Sequence, residues 1–257
     1  MLLLLKIIVV PTLIISVTLA GQRWGPRVGG VLASFPLVAG PVLFFLATEQ
    51  GEGFAAEAAR ATLVSLIAVA ASGLAYAWAC LRAPWWASLA ASWGSFVLLI
   101  LALHGIPWAP LAAFGATLAS FILARALLPH TREGPAPAAR SAWDLPLRVI
   151  SAVSAVALVL TTTGLAQRLG PTLSGAITPF PVALAILMAF THVQQGPPTT
   201  IRFLRGFFPG MWNFAVFCLV TTLGLAALGK WLGFALALAS VVPIQMTVLW
   251  WGSRASV

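Results

Sequence analysis

Two arginines stand just ahead of a glycine-proline pair at equivalent places: Arg23 in Gln22-Arg23-Trp24-Gly25-Pro26 and Arg168 in Gln167-Arg168-Leu169-Gly170-Pro171. Glycine-proline is a fair helix start, because proline suits the first turn, where its missing N–H would go unpaired anyway. An arginine before such a start adds a fixed positive charge to the positive end of the helix dipole. The chemistry this allows is attraction of an anion; the competing reading is a simple topological anchor. Further on, the chain reads Ser34-Phe35-Pro36 in one place and Thr178-Pro179-Phe180-Pro181 in the other. Proline inside a helix frees carbonyls and bends or breaks it, and in hydrocarbon those carbonyls need protein, water or a ligand as partner. The same helices end in Gln50-Gly51 and Gln195-Gly196, where an amide either satisfies terminal carbonyls or takes part in gating or binding. The candidate substrate-binding residues are therefore Ser34, Phe35, Pro36, Thr178, Phe180, Pro181, Arg23, Arg168, Gln50 and Gln195.

Other reactive chemistry is missing. The acidic residues are Glu49, Glu52, Glu57, Glu133 and Asp144, all at the ends of apolar runs or between them. No carboxylate stands in the middle of a run, so the usual proton or sodium relay has no residue to use. Paired carboxylates, clustered metal ligands, a nucleophile elbow and a phosphate-binding glycine loop are all absent from the sequence. No catalytic residue, metal or cofactor is expected, and the chain does not read as an enzyme. Cys80 and Cys218 lie inside apolar runs and read as small buried hydrophobes. His192, Asn213 and Gln245 read as polar contacts between helices.

The elements that position these residues follow from an internal repeat. At an offset of 145 residues, Gln22, Arg23, Gly25, Pro26, Gly30, Phe35, Pro36, Phe45, Gln50, Gly51 and Arg60 meet identical residues, from Gln167 to Arg205. Shared hydrophobicity aligns Leu with Leu; it does not align Gln, Arg, Gly and Pro together. Small residues four apart (Gly25 with Gly29, Gly170 with Ser174) invite close approach of another helix. Apolar runs long enough to cross about 30 Å of hydrocarbon place helices near 2–20, 28–48, 58–81 and 86–103 in the first copy. A linking helix follows near 109–128. The second copy supplies helices near 147–165, 173–193, 206–228 and 232–250. The expectation is an all-α integral membrane protein of about nine transmembrane helices, four, one and four, with a proline-broken second helix in each repeat. The units are 1–104, the linking helix and cytoplasmic linker 105–145, and 146–257. An odd number of spans precedes the second copy, so the repeats are inverted, as in many secondary transporters.

Composition agrees. Charged residues make up 7% of the chain and apolar residues 61%, against about 25% charged in an ordinary soluble domain. The mean hydropathy is +1.02. The net charge of +9 is spread singly between apolar runs, which argues for headgroups and topology and against nucleic acid. Met1 to Ala20 reads as a mature first span, because Leu2 to Leu5 precede Lys6 and Pro11 interrupts the run, unlike a signal peptide. Ten basic residues fall on one face, and Lys6, Arg60, Arg168 and Lys230 on the other. The first face is then cytoplasmic, the N-terminus outside and the C-terminus inside. Arg168 falls on the outer face, where that rule gives it no reason to be. The functional expectation is a bacterial-type inner-membrane carrier or facilitator of a small solute, with organic anions as one candidate class. The alternative is a non-transporting membrane subunit that supports a partner protein. The expected partners are the lipid bilayer and the solute, with a homo-oligomer left open.

Overall fold

The computed structural model describes residues 39–103, 105–130 and 163–254, together with positions 12, 153, 157, 160 and 161. Among these residues the chain is helical, without strands. The elements are α1 (Ala39–Glu49), α2 (Glu52–Ala79), α3 (Trp85–Leu103), α4 (Pro110–Ala126), α5 (Ala166–Ile177) and α6 (Val182–Arg254). Helices α2 and α3 and the stretch Leu184–Pro243 of α6 are long and apolar enough to cross a membrane, with mean hydropathies of 1.7, 1.8 and 1.8. In hydrocarbon a helix is the way for a single segment to satisfy all its backbone groups, which is why such runs fold so.

Helix α6 turns at two glycines. Gly196 (φ 78°, ψ 174°) and Gly229 (φ 77°, ψ 176°) divide it into 182–195, 197–228 and 230–254. Gly51 precedes α2 in the same conformation, φ 93° and ψ 165°. This region of backbone space is open essentially to glycine alone. Gly51 and Gly196 are identical residues at the 145-residue offset, and Gly170 and Gly229 share the same conformation.

These turns correct the expected helix bounds. Helices expected from 58 and 206 begin at 52 and 197 instead. Hydropathy misses their first turns because those turns are polar or proline-rich. Glu52 belongs to a first turn, where a carboxylate complements the dipole, and Pro197 directly follows the turning glycine, where proline is tolerated.

Among the described residues helix α2 is central and packs against each of the other five elements. It is rich in buried alanine, including Ala55, Ala58, Ala59, Ala61, Ala68 and Ala70, and small side chains let neighbouring backbones approach. Gly175 of α5 takes this furthest: a Cβ there would lie 2.1 Å from the Ala58 carbonyl oxygen and 2.8 Å from Ala61 Cβ. The expectation of a close approach at Gly170 is corrected. Gly170 (φ 70°, ψ 173°) is a turning point within α5, and the contact falls five residues later. Helix α3 is the opposite of α2, with Trp86, Leu98 and Leu101 exposed by 62%, 70% and 66%. That apolar exposure suits lipid as the surrounding solvent.

Candidate functional site

Two prolines interrupt the helix expected over 173–193. Helix α5 ends at Ile177, α6 begins at Val182, and Thr178 to Pro181 lie between them. In an unbroken helix the carbonyl of Gly175 would accept from residue 179 and that of Ile177 from residue 181. Both positions are proline, which has no N–H to give. The Ile177 carbonyl instead accepts the Phe180 N–H at 2.9 Å. The Gly175 carbonyl is reached from another helix: Thr62 Oγ1 of α2 lies 3.0 Å from it and 2.8 Å from Ala58 O, so one hydroxyl hydrogen is shared between two acceptors. Sequence reasoning left both carbonyls open to a ligand; the fold supplies each with a partner.

Around the break the side chains are packed. Thr178 is buried and its hydroxyl donates to Ser174 O at 2.7 Å. The Phe180 ring meets Phe96 edge-on at 5.2 Å and tilts against Trp93 at 5.7 Å, both on α3. Pro181 is buried and its carbonyl accepts the Ala185 N–H at 2.8 Å, which opens the next helix. Ser174 Oγ is buried and has no hydrogen-bond partner among the described residues.

Beside the segment between Gly170 and the break is a half-open cavity of about 40 Å³, room for at least one water. Thr172 and Ala176 of α5 face it, with Ala61, Val64 and Ser65 of α2, Ile100 of α3 and Trp108 beyond α3. Its charged residue is Arg60. The guanidinium is held on both sides: Nε donates to Glu57 Oε2 at 2.9 Å, Nη2 pairs with Glu57 Oε1, and Nη1 donates to Trp108 O at 2.6 Å. A forked guanidinium suits such a carboxylate contact, and the pair puts one charge-compensated polar group into a wall that is otherwise mostly apolar.

The other candidates stand apart from this cluster. Arg168 is exposed, and Gln50 and Gln195 are half-buried where α1 and the 182–195 segment end. Among the described residues none of the three side chains makes a hydrogen bond or ion pair to protein that would occupy it. Arg23, Ser34, Phe35 and Pro36 lie outside the described residues. His192 joins two helices, its Nδ1 lying 3.3 Å from the hydroxyl of the buried Tyr76.

Sequence reasoning passed over Arg60 and Thr62. A signal for Arg60 was present, since it matches Arg205 in the repeat and falls on the face assigned as outer, the argument already applied to Arg168. Thr62 carried none: its partner at the repeat offset is Phe207, and a hydroxyl in an alanine-rich helix usually bonds its own backbone. Comparison with known proteins returns no match, whether to a family model, a curated protein or a solved structure.

Proposed function

We propose that the protein is an inner-membrane carrier or facilitator of a small solute, with organic anions as one candidate class. The observation that carries this reading is the break at Thr178 to Pro181. It follows Gly175, whose carbonyl accepts from a side-chain hydroxyl of α2, and a half-open, mostly apolar cavity that holds Arg60, Ser65 and Thr172 lies beside the helix leading into it. A helix joined in this way has two halves that shift with little backbone hydrogen bonding to lose, and inverted-repeat carriers place their sites at such interruptions. The solute would meet Thr178, Phe180 and Pro181, with Ser34, Phe35 and Pro36 contributing the equivalent half. Arg23 and Arg168 would attract its charge, and Gln50 and Gln195 would act at the ends of the same helices.

The proposed architecture is nine spans in two inverted repeats about α4. Loop contacts support it by sorting into two sets. Arg60 with Trp108 and Glu52 with the Lys230 N–H belong to the face assigned as outer. Trp78 with the Leu127 carbonyl and Arg205 with the Pro129 carbonyl belong to the face assigned as cytoplasmic. The shared backbone turn at Gly51 and Gly196 supports the duplication. Reporter fusions at both termini test the arrangement, which requires them on opposite sides, the N-terminus outside.

The function is tested by a thermal-shift screen of the purified protein against pools of small metabolites, since a ligand of the native state raises its stability. A reproducible rise with an anionic pool is expected. Stability unchanged by every pool, together with a protein that co-purifies in fixed proportion, would instead favour the supporting-subunit reading.

A further inference from the structure

Arg60 and Arg205 occupy equivalent places at the repeat offset, and each reaches a backbone carbonyl at one end of the same helix. Arg60 Nη1, on α2, donates to Trp108 O at 2.6 Å, just before α4 begins. Arg205 Nη2, on α6, donates to Pro129 O at 3.2 Å, just after α4 ends. Helix α4 packs against both α2 and α6, so the two arginines tie the two long helices to opposite ends of the element that joins the copies. The ties are unequal. Arg60 is also locked by Glu57, and the cavity lies at its end of α4.

We propose that Arg60 and Arg205 are paired positioning residues that hold opposite faces of the protein closed and release in alternation. The proposal rests on the carrier reading, because a carrier must open one face at a time. A charge-assisted bond to a carbonyl is strong enough to decide which state predominates, and a single one is broken by a modest differential interaction with the solute. Equivalent residues at the two ends of one helix give the two faces equivalent latches. Of the two, Arg60 is the more tightly held in this structure.

The test follows access to two buried positions, using single cysteines at Ser65, in the cavity wall beside Arg60, and at Leu128, beside Pro129. Native Cys80 and Cys218 are buried and set the background. The rate of maleimide labelling is measured on full-length protein in detergent. Arg60→Gln should raise labelling at the Ser65 position several-fold and lower it at Leu128. Arg205→Gln should do the reverse, and the double variant should return the ratio of the two rates towards the parent value. Both variants shifting the probes in the same direction, or neither shifting them, would overturn the proposal. If either Gln variant fails to fold, the Arg→Lys variant is read in its place, since Lys keeps the charge but loses the fork. Labelling needs no solute, so its outcome is separate from that of the thermal-shift screen: opposed shifts with no ligand would leave the latches standing and the carrier reading in doubt.

Discussion

Thr62 and Gly175 are 113 residues apart in sequence, and the hydroxyl of the first covers the carbonyl that Pro179 deprives of its partner in the second. That contact joins the central helix to the half of the broken helix that precedes the interruption. Thr62→Val keeps the shape and removes the donor. The expected cost is about 1 kcal/mol, in the range for one hydrogen bond within a membrane protein. Reversible unfolding in mixed micelles measures it. A variant as stable as the parent would show that water serves this carbonyl equally well.

Close packing at the same place gives a sharper effect. Gly175→Ala drives a methyl group into the Ala58 carbonyl oxygen, which is backbone and has nowhere to go. A loss on the order of 1–3 kcal/mol is expected from such overpacking. Gly115 on α4 has nothing within 4 Å of its would-be Cβ, and Gly115→Ala should be neutral or stabilising. Melting temperatures of the pair, measured together, should therefore move apart.

The turning glycines should behave alike. Gly51→Ala and Gly196→Ala each force a side chain into backbone geometry that glycine alone adopts readily, with an expected cost of roughly 1–3 kcal/mol each. Space does not decide this, since at both positions a Cβ has ample room. Comparable losses from the two single variants would fit equivalent turns. A large loss at one and none at the other would separate them.

Much of this was readable from residue types because the signals are local. Prolines at 179 and 181 leave the carbonyls of 175 and 177 without a helical donor, and the break appears where they stand, whereas the single prolines at 209 and 243 lie within α6 without ending it. The repeat partners Gly51 and Gly196 were visible as identities, although their backbone angles were not, since glycine enters many conformations and sequence does not say which. Other features depend on contacts distant in sequence. Nothing near Pro179 points to Thr62, and nothing near Arg60 points to Trp108, so the partner of each was settled only by packing. Helix starts at 52 and 197 were misplaced for a different reason. Their first turns are polar or proline-rich, and a window that averages hydropathy reads such turns as loop.

Arg168 tests the anionic class of solute. It is exposed, and if it attracts an anion then Arg168→Gln should weaken binding of anionic ligands severalfold and flatten its dependence on salt, since screening has less attraction to remove. Arg23→Gln should do the same. Arg82 has no matching arginine at the repeat offset, and Arg82→Gln should leave binding unchanged. Titration of purified protein at two ionic strengths checks all three. Equal affinity in every variant would make these arginines anchors of topology only.

The most direct test of the carrier account is uptake into sealed vesicles containing the purified protein, supplied with a mixture of small metabolites and read by mass spectrometry of the vesicle contents. The account predicts that one or a few small anionic solutes accumulate faster than in protein-free vesicles. It also predicts that the Pro36→Ala, Pro181→Ala double variant, inserted and folded to the same extent, loses most of that excess, because residue 181 then offers the Ile177 carbonyl a helical N–H and stiffens the interruption that Pro179 leaves. No solute entering above the protein-free rate would contradict the carrier reading, and uptake undiminished in the double variant would contradict the broken-helix site.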